Sequence, residues 1–127
     1  MNVPVPAEAL AGVPILPHCP AHCFPLLVTD RDALPAYRPG EWLAVDPTPR
    51  PPAHGTHVVA RWGKDEAIGE LVRSVVLPGT WAIRSIAGPP RTLAEAAARW
   101  VDAPLNERNV ADNVRGVIVG IIQPEGI

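Results

Sequence analysis

Proline constrains this chain more than any other residue. Seventeen prolines and ten glycines interrupt its 127 residues. Each proline fixes φ and removes a backbone donor, so a helical bundle is disfavoured and short strands joined by turns are expected. The length suffices for one domain with its own core.

The pattern between the prolines is consistent with that expectation. Residues 1–17 alternate apolar residues with proline and read as an extended arm lying on a surface; residues 18–127 read as the β domain. Residues 24–29 and 41–46 read as short strands, separated by the turn residues Pro35, Pro39 and Gly40. A rigid proline-rich loop follows at 47–55. Residues 56–62 and 66–76 read as a hairpin around Gly63-Lys64-Asp65. After Pro78-Gly79, residues 80–86 read as another strand, and the apolar run 114–122 closes the chain. One helix is expected, over 92–102. Thr92 and Glu95 form a capping box there, and Leu93, Ala96, Ala97, Trp100 and Val101 share a helical face.

Charge narrows the function classes. The formal net charge is −2, and the basic residues are ten arginines and one lysine, Lys64. No basic domain results, so direct nucleic-acid binding is not expected. No apolar run reaches the roughly 20 residues that span a bilayer, and the N-terminus lacks the basic and apolar regions of a signal peptide. A cytoplasmic protein with no membrane partner is expected.

The run Pro35-Ala36-Tyr37-Arg38-Pro39-Gly40-Glu41-Trp42-Leu43-Ala44-Val45-Asp46 resembles the segment that follows the nucleophile in LexA/UmuD-type self-cleaving serine–lysine peptidase domains. Other stretches extend the resemblance. Val3-Pro4-Val5-Pro6 with Ala11-Gly12-Val13-Pro14 is similar to the cleavage segment of that family, whose Ala–Gly bond is cut. His54-Gly55-Thr56-His57-Val58-Val59 and Val114-Arg115-Gly116-Val117-Ile118-Val119 are similar to its later strands. The fold implied is mainly β: a LexA/UmuD C-terminal-domain-like folded sheet or partly open barrel, with one short inserted α-helix. The resemblance also places the nucleophilic serine on Asp32 and the lysine on Gly69, so both halves of the dyad are replaced.

The residues support the same conclusion independently. A serine–lysine dyad needs a hydroxyl beside a neutral amine, and burial is what keeps the amine neutral. The chain has one lysine, in an expected turn, and two serines, Ser74 and Ser85, in expected strands. An acid/base or metal pair of Asp32 with Glu70 is the alternative chemistry; the simpler reading is a solvated charged turn at Asp30-Arg31-Asp32 and a solvent-facing Glu70. His18, Cys19, His22 and Cys23 lie within six residues, which is not a familiar zinc spacing, so they are read as loop thiols and imidazoles. No cofactor and no metal are expected.

The function implied is therefore a catalytically inactive LexA/UmuD-like domain, with Ala11 and Gly12 a vestigial cleavage site. It would act as a dimerising interaction or regulatory module in a phage, a mobile element or the SOS response. Its partners would be a second copy, an active homologue, a polymerase or the transcription machinery. The alternatives are an active self-cleaving peptidase or hydrolase with a non-standard site, and a DNA-binding transcriptional regulator. A homodimer is expected with Val117, Val119 and Ile121 at the interface, because an apolar edge strand needs covering. Of the four tryptophans, Trp42, Trp62, Trp81 and Trp100, one or two are candidates for a partner surface, and Trp100 or Trp81 are candidates to add area to the dimer interface.

Overall fold

Alternating apolar residues between proline-rich turns build one sheet. A computed structural model of the protein describes residues 13–29, 36–62, 65–74, 77–86 and 101–126. Its strands are β1 (Ile15–Leu16), β2 (Phe24–Leu27), β3 (Trp42–Asp46), β4 (Thr56–Trp62), β5 (Asp65–Arg73), β6 (Trp81–Ser85), β7 (Val101–Leu105) and β8 (Val114–Ile122). A short helix, α1 (Glu107–Asn113), separates β7 from β8. The order is β2-β3-β8-β4-β5-β6-β7, antiparallel throughout. β1 alone joins in parallel, against the far end of β8. β2 and β7 do not pair, so this mainly β fold is an open sheet and not a barrel.

β8 sits in the middle. β3 covers one of its edges from Val117 to Ile122. On the other edge, β4 covers Val114 to Val117 and β1 covers Ile121 and Ile122. The apolar run that reads as an exposed edge is thus an interior strand, satisfied on both sides within one chain. The true edges are β2 and β7, and each carries a proline, Pro25 and Pro104. Just past β2, Val28 donates to Glu41 and accepts from Gly40, so by alternation the missing donor of Pro25 faces the free edge, the position where proline is tolerated.

Both faces of the sheet are covered. Val59 packs with Tyr37, Leu43, Val45, Ile118 and Ile121. Its neighbours Val58 and Ala60 pack instead with Leu71, Trp81, Ile83, Leu105 and Val110. Successive residues of β4 therefore serve two cores, which is why its middle, Val58 to Ala60, is apolar without interruption. Each fully buried Val, Leu or Ile stabilises by roughly 1.5–3 kcal/mol.

Two features depart from the sequence reading. The expected helix over 92–102 falls outside the described residues up to position 100, but Val101 and Asp102 open β7, where Val101 pairs with Ile83. The β-branched Val101 extends the sheet instead of ending a helix. The helix among the described residues lies later, over 107–113. The side chain of Asn106 caps it by accepting from the Asn109 N–H at 2.8 Å. Only Val110 of its seven residues is buried, too few to show helical periodicity in sequence.

The arm docks where β8 has no side chain. A Cβ on Gly120 would lie 2.5 Å from Leu16 Cδ1 and 3.0 Å from the Pro14 carbonyl oxygen. Gly120→Ala should therefore push β1 off β8, at a cost of about 1–3 kcal/mol as for other overpacked sites. Faster limited proteolysis near residues 13–17, with a lowered denaturant midpoint, is the expected outcome; unchanged cleavage and midpoint would show that β1 is not held this way.

Candidate functional site

The positions implicated in catalysis are the first to place. Asp32, Ala11 and Gly12 lie outside the described residues, as do Lys64 and Trp100. Gly69 lies in β5 opposite Val58 on one side and Ser85 on the other. A Cβ there would stand 2.8 Å from Ile83 Cγ2 and 3.0 Å from the Arg84 carbonyl oxygen. Ile83 is fully buried and branched at Cβ, so it cannot swing aside. A side chain at Gly69, a lysine above all, would enter only if Ile83 and the β6 backbone shifted.

The opposite face of the same strands carries a polar chain. His57 and Glu70 are register partners on β4 and β5. The Tyr37 hydroxyl is 2.6 Å from His57 Nδ1, and the two rings meet edge to face at 5.4 Å. Glu70 Oε2 lies 3.9 Å from His57 Nε2, and Glu70 Oε1 accepts from Arg84 at 2.6–2.8 Å. Glu70 is half-buried and ion-paired, not simply facing solvent as its sequence context implies. Burial pushes the Tyr37 phenol well above its usual pKa, with Glu41 adding to the effect. Burial also lowers the His57 pKa, and Glu70 opposes this in part. A neutral imidazole whose Nδ1 accepts a hydrogen bond from the buried phenol O–H fits both shifts. With Tyr37 fully buried, this group holds the segment around residue 37 onto β4; it presents no accessible nucleophile.

A cleft of about 370 Å³ opens on the Gly69 side of the sheet. The proline-rich loop at 47–53 forms one wall and α1 the other, with Val58, Leu71 and Val117 at its floor. Arg50 and Arg115 are its charged lining residues. Arg115 is held at 2.6 Å by Glu66 and stacks on Phe24 at 4.5 Å. Among the described residues, no carboxylate, histidine or cysteine lines this cleft, and its walls are mostly apolar, as in pockets that bind.

The residues expected at a dimer interface do not share a surface. Val117 lines the cleft, and Ile121 is buried in the core on the other face. Val119 is skipped in the β3–β8 register, where Val45 pairs with Ile118 and Ala44 with Gly120. It is the extra residue of a bulge, and the bulge carries Ile118 and Ile121 to the same core. Trp81 is buried in the second core, which leaves it no role at a partner surface.

The cysteines are free thiols and half-buried. The structure brings His22 and Cys23 together with Asp46, a partner that the local spacing does not reveal. No protein-family model matches the chain, and no curated protein matches it. Among the described residues, no helix is long and apolar enough to cross a membrane.

The lowered His57 pKa has a consequence for stability. Its folded value lies below the unfolded one near 6.5, so between the two the unfolded state binds more protons. The stability His57 contributes is complete above about pH 6.5 and is lost as the pH falls toward the folded pKa. His57→Gln should flatten the decline in melting temperature over that acidic range relative to the unmodified protein. Parallel curves for the two proteins would show that His57 does not titrate in this way.

Proposed function

We propose that the chain is a catalytically inactive LexA/UmuD-like module that works by binding protein, as a regulatory subunit in the cytoplasm. The crowded position of Gly69 carries this reading. The sequence resemblance puts the lysine of the dyad there, and neither the 2.8 Å gap to Ile83 nor the 3.0 Å gap to the Arg84 backbone admits one. Asp32, on the nucleophile position, is a weak nucleophile toward amides and has no neutral amine in this reading. The apolar cleft between the 47–53 loop and α1 offers a recognition surface, with no carboxylate, histidine or cysteine among its described lining residues.

Intact mass after incubation at alkaline pH tests the loss of catalysis. Only the full-length mass is expected. A fragment beginning at Gly12, formed at a rate unaffected by protease inhibitors, would overturn the reading. The double variant Asp32→Ser with Gly69→Lys is likewise expected to stay uncut, because a side chain at 69 displaces β6 before it can reach a substrate.

The module is also proposed to form a homodimer, through the cleft face and not through a strand edge, since Pro25 and Pro104 blunt the two edges. Ala111 is exposed on α1 and lines the cleft. Light scattering at tens of micromolar is expected to show a dimer for the unmodified protein and a folded monomer for Ala111→Glu. A monomeric unmodified protein would contradict the dimer, and a dimer unaffected by Ala111→Glu would contradict the face.

A further inference from the structure

The antiparallel ladder between β2 and β3 places Phe24 opposite Val45. The next rung, just beyond the end of β2, sets Cys23 across from Asp46. A tight turn then folds His22 over the same point, clasped by the Cys23 N–H donating to the Pro20 carbonyl at 3.0 Å. The outcome is three different donor atoms converging from two segments more than twenty residues apart. One nitrogen of His22, Cys23 Sγ and one carboxylate oxygen of Asp46 all lie within 4.8 Å of one another. His22 Nε2 and Asp46 Oδ2 are 3.7 Å apart.

We propose that His22, Cys23 and Asp46 form a zinc site. Bonds of about 2.0–2.3 Å to a tetrahedral ion set donor atoms roughly 3.3–3.7 Å apart. The His22–Asp46 pair already has that separation, and Cys23 needs to close by no more than about an ångström to join it. One imidazole, one thiolate and one carboxylate are the mixed donor set that zinc accepts and that calcium or magnesium does not. Asp46 is prepared for the role. It is buried, and its Oδ1 accepts the Thr48 N–H at 2.9 Å, which orients the carboxylate as an outer partner does around a metal. The other oxygen, Oδ2, faces His22 and is hydrogen-bonded by Arg50 Nη2. Arg50 therefore stands where the ion would bind and must swing away; its guanidinium is partly exposed and free to do so. Three protein donors leave a fourth position, on the side where His22 is mostly exposed, for water or a donor from a partner.

A rival arrangement uses only the loop: His18, Cys19, His22 and Cys23 chelating by nearness in sequence, without Asp46. The two make opposite predictions. Full-length protein stripped with a chelator would be titrated with zinc against a competing chromophoric chelator. Cobalt would report the thiolate charge-transfer band and the visible bands of a tetrahedral ion. One zinc per chain is expected, weakened by at least about tenfold in Asp46→Asn and in Cys23→Ser, judged against the effect of losing even an outer partner. Asp46→Asn keeps an acceptor for the Thr48 N–H, and Cys23→Ser leaves that bond untouched, so circular dichroism should show both variants folded. Cys19→Ser and His18→Ala are expected to bind as the unmodified protein does, and Arg50→Ala more tightly. No stoichiometric zinc would overturn the proposal. Affinity lost in Cys19→Ser but kept in Asp46→Asn would overturn it in favour of the loop.

Discussion

The pairing of β8 on both edges is the constraint on which the rest of the molecule depends. β3, β4 and β1 all hydrogen-bond to this one strand, and β2, β5, β6 and β7 attach only through them. Its composition follows from that position. Ile118 and Ile121 feed one core, while Val114 and Val117 pack against the other. Glycines stand where neighbouring chains come too close for a side chain, and the bulge at Val119 resets the alternation between the two cores. Because the strand is complete within one chain, it makes no demand for a second copy.

Covering both faces of one sheet also divides its chemistry. On one face, Tyr37, His57, Glu70 and Arg84 form a linked polar chain that secures the segment after residue 35. On the other, the Gly69 position is filled by Ile83, and the proline-rich loop and α1 enclose an apolar cleft. Asp46 ends β3 beside this loop, held by Thr48 and Arg50. The Thr48 bonds, and then Arg50 and His22, keep its carboxyl below the usual carboxylate range, against the effect of burial. Cys23 shifts in the other direction. Burial first, then the charges of Asp46 and Cys19, raise its thiol, which makes it a poor free nucleophile.

Much of the sheet is legible in the amino-acid sequence because period-two alternation and proline-glycine punctuation are local signals. Residues 24–27, 42–46, 56–62 and 81–85 are strands where that pattern places them. Val101–Leu105 is not legible, since an edge strand with Pro104 in it lacks the alternation. α1 is hidden by its length and its single buried residue. The middle placement of β8 could not be read either: an apolar strand looks the same whether a second chain or its own neighbours cover it. Site geometry is the least legible. Tyr37, in the turn before β3, meets His57 on β4, and Cys23 meets Asp46, each across some twenty residues. The open space or crowding at Gly69 depends on Ile83, a residue on another strand.

Native-state hydrogen exchange on β8 probes the organising role of this strand most directly. If β8 is the closed centre of a sheet formed by one chain, its amides exchange slowest in the protein. They do so only through global opening. Amides of β8 that exchange as fast as those of the edge strand β2 would contradict a strand satisfied on both edges within a single chain.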